Sequence, residues 1–296
     1  MKNEIGGVIT ALITPFNTSG KIDFKSLEKL VKFQIDRGVR GFVINGTTGE
    51  SPTLEKEELK DLWQFVKGIV GPDKFMILGT GSNSTQTTIE KTKMANLWKA
   101  DAALVVVPYY NKPPQRGLFQ HFKKVAEEAE APILLYNVPG RTACSLSLET
   151  TIELSHVPGI VGIKDATGDM TLAAEICKKT RKGFRLLSGD DVTYADYLNR
   201  GGHGIISVAS HIIPDVFLKI TNLVMQNKFD QAKTLIETNK DLIDSLYVEA
   251  NPIPVKKALQ MMGLIESAGM RLPLIEAQKS TEEKLRLEMT KQGLLK

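Results

Sequence analysis

Short apolar runs alternate along the chain with longer amphipathic stretches, and the beat stays regular from residue 8 to residue 225. Residues 8–14 are apolar and β-branched, and residues 24–37 carry Leu27, Leu30, Val31 and Ile35 at helical spacing. The same pairing recurs at 41–44 with 54–69, 76–78 with 85–99, 102–107 with 118–129 and 133–136 with 148–155. It continues at 160–164 with 171–179, at the weaker strand 185–187 with 192–199, and at 204–208 with 214–225. The strand candidates are continuously apolar rather than alternating, as expected of a parallel sheet covered on both faces.

Eight strand–helix units in series predict an α/β chain folded as a (β/α)8 TIM barrel. An open, doubly wound sheet shares the beat and is the other arrangement it allows. The count of eight favours the barrel, and so does the end of the repeat near residue 225, within the roughly 200–250 residues usual for that fold. From Phe229 onward the pattern is helical only, over 229–247, 255–262 and 281–292. The stretch Asn251-Pro252-Ile253-Pro254 separates the first two helices, because each proline disfavours helix in the residue before it. The expected organisation is a catalytic barrel over residues 1–225 and a helical C-terminal region over 226–296.

Composition narrows the function classes. A chain of 296 residues can bury roughly 75% of its surface and needs no disulfide or metal staple. The net charge of +4 is spread along the chain, and its densest basic stretches, 178–185 and Lys256-Lys257, lack interleaved aromatics. That argues against a nucleic-acid partner and leaves mild steering of acidic substrates. Cys144 and Cys177 lie far apart with no CxxC pattern and suit a reducing compartment. Residues 1–7 carry no basic-then-apolar signal, and no apolar run approaches the roughly 18 residues of a membrane span. A cytoplasmic protein without membrane attachment is expected.

The unusual side chains collect where the strands end. Lys164 closes the run Ile160-Val161-Gly162-Ile163 and is followed by Asp165 and a Gly-containing turn. A lysine at a strand end commonly reaches water. Held inside, its ammonium is costly to desolvate, and it needs a carboxylate partner or a chemical role such as imine formation with a carbonyl. Gly46-Thr47-Thr48-Gly49-Glu50 offers backbone N–H groups and hydroxyls to a small carboxylate, or simply a capped strand-to-helix turn. Tyr109-Tyr110 sit in a proline-rigidified loop, Tyr136 ends strand five, and Arg141 follows in a Pro-Gly turn suited to a bidentate carboxylate contact. Gly79-Thr80-Gly81 has neither a Walker lysine nor dinucleotide spacing. In Ser188-Gly189-Asp190-Asp191 the paired aspartates suggest a metal site or an acid/base dyad, but helix capping accounts for at least one of them. His121, His156, His203 and His211 show no metal-ligand spacing, so neither a metal nor a cofactor is expected. A lysine, phenols, threonine hydroxyls and one arginine match amine condensation with a 2-oxo acid.

On these motifs the chain resembles the pyruvate-dependent class I aldolases and lyases, the N-acetylneuraminate lyase family, over nearly its whole length. Gly46-Thr47-Thr48-Gly49-Glu50 and Tyr136-Asn137-Val138-Pro139-Gly140-Arg141-Thr142 resemble the synthase branch rather than the sialic-acid lyases, and Ile163-Lys164-Asp165 resembles the Schiff-base segment. The resemblance implies pyruvate and aspartate 4-semialdehyde as substrates, in the first committed step of diaminopimelate and lysine biosynthesis. It implies that Lys164 forms the imine and that Thr47 and Thr48 seat the pyruvate carboxylate. Tyr136 would relay protons through Thr47 to Tyr110 of a neighbouring subunit, Arg141 would hold the semialdehyde carboxylate, and Gly189 and Ile206 would line the pocket. It further implies a homotetramer, a dimer of dimers. Another pyruvate aldolase, for a 2-keto-3-deoxy sugar acid or sialic acid, is the alternative enzyme, and a non-catalytic acid-binding barrel the alternative class. Lys56 and Thr87 replace the histidine and glutamate typical of lysine-inhibited members, so feedback by lysine is expected to be weak or absent.

Overall fold

The apolar runs become the strands of the computed structural model, which describes residues 4–295. Strand β1 (Gly7–Ala11) leads to α1 (Phe24–Asp36), β2 (Gly41–Ile44) to α2 (Lys56–Ile69), β3 (Phe75–Gly79) to α3 (Thr85–Leu97) and β4 (Ala102–Val106) to α4 (Gln115–Ala129). Strand β5 (Ile133–Asn137) is followed by the single-turn α5 (Pro139–Thr142) and by α6 (Leu148–Ser155). Then come β6 (Ile160–Asp165), α7 (Met170–Lys179), β7 (Arg185–Ser188), α8 (Tyr194–Asn199), β8 (Gly204–Ser207) and α9 (Pro214–Met225). Helices α10 (Phe229–Ser245), α11 (Ile253–Met261) and α12 (Lys279–Lys291) complete the order. The eight strands close into a barrel in chain order, which decides for the (β/α)8 fold over the open sheet. Among the described residues no helix is long and apolar enough to cross a membrane.

Two compact units divide the chain. One comprises Phe75–Ile206 with the segment up to Gly7, and the other Val8–Lys74 with the segment from Ser207 onward. In the first, β4 to β7 are almost wholly buried, as their unbroken apolar runs require. Fully burying each Leu or Ile side chain contributes about 1.5–3 kcal/mol. Three of its helices begin at side-chain caps: Ser84 accepts from Thr87 N, Ser147 from Thr150 N, and Asp169 from Thr171 N and Leu172 N.

In the second unit Asp23 caps α1, and Glu55 with Glu58 forms a capping box on α2. The apolar stripe of α1 is interrupted by a buried polar residue. Gln34 is fully buried because its amide accepts from Thr10 and donates to the carbonyls of Ser210 and His211. Ile35, at the predicted apolar position, is only half-buried.

Three boundaries differ from the pattern for identifiable reasons. Strand β1 stops at Ala11 rather than residue 14, and Thr14 instead turns its hydroxyl to the Gly49 carbonyl at 2.8 Å. Helix α4 starts at Gln115, three residues before the apolar spacing begins, because the extended Pro114 presets its entry. Helix α11 starts at Ile253 with Pro254 in its first turn, where a missing N–H costs nothing.

Candidate active site

Strand register fixes which side chains share a face in the first unit. Tyr136 pairs with Val106 and Lys164, Lys164 pairs with Leu187, and Leu187 pairs with Gly204, so these positions form one row pointing the same way. Lys164 is 6% exposed and Tyr136 8%. The lysine Nζ lies 4.2 Å from the centroid of the Tyr136 ring, within cation–π range. Gly189 and Ile206 stand two residues beyond Leu187 and Gly204, one layer nearer the carboxyl ends and on the same face. A Cβ at Gly189 would lie 2.8 Å from Lys164 Cε and 2.7 Å from Ala166 Cβ. The lysine stem therefore runs directly beneath a position that tolerates only hydrogen. Ile206 is 1% exposed and gives the row an apolar neighbour.

Alternation also shows where Asp165 goes. The next row, Asn137, Asp165, Ser188 and Ile205, points to the opposite face. Asp165 accepts from the Thr167 hydroxyl at 3.0 Å and from the Thr167 N–H. It is thus no partner for Lys164, and among the described residues Lys164 makes no ion pair. A buried amine beside a phenol, free of any carboxylate, can act as a nucleophile toward a carbonyl.

Burial pushes the Asp165 carboxyl up to about 6, against the lowering pull of the Thr167 bonds. From about pH 4 to 6 the folded state holds a proton that the unfolded chain has released, so this group's contribution to stability falls as pH rises. The full loss above that window is on the order of 3 kcal/mol. Asp165→Asn keeps an acceptor for Thr167. Its melting temperature is expected to rise relative to the unsubstituted protein as the pH goes from about 4 to 7. A difference that stays constant over that range contradicts the assignment.

The loops after β4 and β5 carry two further predicted residues. Tyr110 is 88% exposed and holds a left-handed backbone with φ 76°, so it projects away from its own chain. Arg141 is exposed on α5, where a tight helical turn replaces the expected Pro-Gly turn and Arg141 N donates to the Val138 carbonyl. Proline at the first helical position explains the difference, because its fixed φ begins a helix as readily as a turn. Asp190, one of the paired aspartates, accepts from the Thr193 N–H and hydroxyl and so shapes the turn into α8.

In the second unit Thr47 opens a single 3-10 turn, Thr47–Gly49, at the end of β2. Thr47 is half-buried and Thr48 is 3% exposed. Beyond the turn Glu50 adopts φ 57°, a conformation costly for a residue with a side chain. The Glu50 carboxylate holds it there. Its Oε1 lies 2.5 Å from Lys256 Nζ, and its Oε2 accepts from Arg271 N at 3.0 Å. The pair Glu50–Lys256 is fully buried, and burial pulls Lys256 down to about 8 against the upward pull of Glu50. Asn251 Nδ2 donates to Thr48 Oγ1 at 2.9 Å.

Residues 4–292 match the family model of the dihydrodipicolinate synthetase family. The chain belongs to this family. It is 54% identical to a 4-hydroxy-tetrahydrodipicolinate synthase of Bdellovibrio bacteriovorus over 295 residues, covering 100% of both chains. The dihydrodipicolinate synthase of Thermotoga maritima superposes with a TM-score of 0.96 at 38% identity, covering 99% of this chain and 100% of that one. The chloride-inhibited dihydrodipicolinate synthase of Acinetobacter baumannii, solved in complex with pyruvate, gives 0.95 at 43% identity, covering 98% and 100%. Membership in the dihydrodipicolinate synthetase family agrees with the resemblance carried by the threonine and Tyr-Asn-Val-Pro-Gly-Arg motifs.

The register brings Lys164, Tyr136, Gly189 and Ile206 together, while Thr47 and Thr48 share a turn of their own. Sequence reasoning passed over Asn251 and Lys256. Both lie in the stretch read only as a helix separator and a basic pair. The one available signal was a lysine and an asparagine beside prolines in an otherwise apolar segment.

Proposed function

We propose that the chain is a lyase that condenses pyruvate with L-aspartate 4-semialdehyde to give 4-hydroxy-tetrahydrodipicolinate, the first committed step of diaminopimelate and lysine biosynthesis. The observation that carries this reading is Lys164, buried beneath Gly189, set over the Tyr136 ring and free of any carboxylate among the described residues. Its amine gives up its proton, attacks C2 of pyruvate and expels water as the imine forms. Loss of a C3 proton gives the enamine, whose C3 bonds to the aldehyde carbon of the semialdehyde, and the aldehyde oxygen becomes the 4-hydroxyl. The amine of the semialdehyde then attacks C2 and closes the ring, and Lys164 leaves as the free amine. The lysine supplies the electron sink, so the scheme calls on no cofactor and no metal.

In this scheme Thr47 and Thr48 seat the pyruvate carboxylate, Gly189 and Ile206 line the pocket, and Arg141 pairs with the semialdehyde carboxylate. Tyr136 passes protons through Thr47 to Tyr110 of the partner subunit. The exposure of Tyr110 in its own chain supports a homo-oligomer, which we place as a dimer of dimers. We take residues 1–225 as the catalytic barrel and 226–296 as its helical accessory, and place the enzyme in the cytoplasm with neither nucleic-acid nor membrane partners.

Borohydride reduction in the presence of pyruvate, followed by peptide mass spectrometry, tests the reading. A pyruvate-sized mass gain on Lys164 is expected, and its absence rules the lyase out. Turnover of pyruvate with aspartate semialdehyde, set against a panel of sugar acids, separates this synthase from other aldolases. Lysine feedback gives a further prediction. Lys56 is exposed at the start of α2, and Thr87 carries no charge to hold an amine. Lysine at about 1 mM is expected to leave the initial rate within about 20% of its value, since a like charge and a missing carboxylate both weaken ammonium binding. Submillimolar inhibition sinks this expectation.

A further inference from the structure

Thr48 is placed by residues more than two hundred positions away in the chain. The Asn251 amide donates to the Thr48 hydroxyl oxygen at 2.9 Å inside a buried environment. A hydroxyl whose oxygen already accepts a bond is left with its own O–H to direct elsewhere. Five residues along, Lys256 is 0% exposed and grips two chain segments. Its Nζ donates to Glu50 Oε1 at 2.5 Å and to the Gly269 carbonyl at 2.9 Å, and it sits 4.3 Å from the centroid of the Phe16 ring. Arg271 closes the set. Its N–H donates to Glu50 Oε2, and its guanidinium donates to Glu58, to the Thr53 carbonyl and to the Gly20 carbonyl. The turn at Thr48 and the segment that follows it, from Glu50 to Glu58, are thereby tied to the region after residue 250. Such a fixed polar arrangement is far more than packing requires, because a buried ion pair is often replaceable by apolar side chains at no loss of stability.

We propose that Asn251 and Lys256 are positioning residues for pyruvate binding, Asn251 by turning the Thr48 O–H toward the substrate carboxylate and Lys256 by holding Glu50 and with it the Thr47–Gly49 turn. This rests on the reading that Thr47 and Thr48 seat that carboxylate. It assigns a task in substrate recognition to the C-terminal region, whose sequence shows only helices. Neither residue touches a reacting atom, and both act through the threonine turn.

Borohydride trapping at a series of pyruvate concentrations tests the proposal. The readouts are the pyruvate concentration giving half-maximal labelling of Lys164 and the labelled fraction at saturation. Asn251→Ala is expected to raise the half-saturating concentration about tenfold or more, the usual consequence of misdirecting one hydrogen bond to a charged group, with the saturating fraction close to one. The paired variant Glu50→Gln/Lys256→Met, which leaves no uncompensated buried charge, is expected to shift the same quantity in the same direction. Unchanged half-saturation in Asn251→Ala overturns the proposal, even if the variant melts earlier or labels a smaller fraction, because those changes report folding alone. If the unsubstituted protein fails to label, the Schiff-base reading has failed instead. If the paired variant does not fold, the Asn251→Ala titration decides by itself.

Discussion

Lys164→Ala is expected to eliminate the borohydride-trapped pyruvate adduct and to lower kcat/KM on the order of 10³-fold or more, since both the covalent route and the positioning of the nucleophile are lost together. The structure says why no neighbour substitutes. Among the described residues of the Tyr136–Lys164–Leu187–Gly204 row, Lys164 holds the one amine, and the adjacent Asp165 faces the other way. Stability is expected to change little. The side chain makes no ion pair among the described residues, so its removal strands no opposite charge, and it relieves the cost of holding an amine where only 6% of the residue reaches solvent. Against that stands the space left beneath Gly189, where the lysine stem leaves no room even for a Cβ. Circular dichroism and thermal melting measure the balance, and mass spectrometry after borohydride measures the adduct. Lys164→Arg is expected to be equally inactive despite its similar reach, because a guanidinium cannot shed the proton that attack on a carbonyl requires. A variant at position 164 that still forms the pyruvate adduct, on whatever residue, means that the nucleophile lies elsewhere.

The strand–helix beat made the fold legible because burial on both faces of a parallel strand leaves an unbroken apolar run, and such a run survives in the sequence without knowledge of its neighbours. Boundaries set by one polar contact were not legible in that way. Nothing local at residue 14 says that the strand will end at Ala11 and that the Thr14 hydroxyl will donate to the Gly49 carbonyl. Gln34 likewise reads as an exposed helical residue until its partners Thr10, Ser210 and His211 are known. The candidate site divides along the same line. Lys164, Tyr136, Arg141 and the two threonines each sit beside glycines or at strand ends, so their residue types and places announce chemistry. Gly189 became intelligible only when its missing Cβ was seen to make room for Lys164 Cε. Asn251 and Lys256 act on Thr48 and Glu50 across about two hundred residues, and no pattern in one sequence encodes a pairing at that separation. The surroundings of Lys164 were also illegible. The sequence leaves open whether a carboxylate faces the amine, and strand alternation turns the adjacent Asp165 to the opposite face.

Tyr136→Phe is expected to lower kcat by about 10²–10⁴-fold, the range that a positioned proton carrier supplies, while leaving the fold unchanged. The substitution removes only the hydroxyl. The ring that packs at 8% exposure against the Lys164 amine remains, and so does the cation–π contact at 4.2 Å. The lysine therefore keeps its place, and pyruvate still binds. Imine formation, tautomerisation to the enamine and release of Lys164 from C2 each need a proton moved at or near the amine, so the loss falls on kcat rather than on KM for pyruvate. Time-resolved borohydride trapping separates the steps. The labelled fraction in Tyr136→Phe is expected to approach the same plateau at saturating pyruvate, reached more slowly by a factor comparable to the fall in kcat. A kcat within about threefold of the unsubstituted enzyme removes Tyr136 from the proton path, since that is far below what general acid–base catalysis contributes. A lost plateau with an intact melting transition assigns the phenol instead to holding Lys164, because the ring alone would then be insufficient to keep the amine where pyruvate meets it.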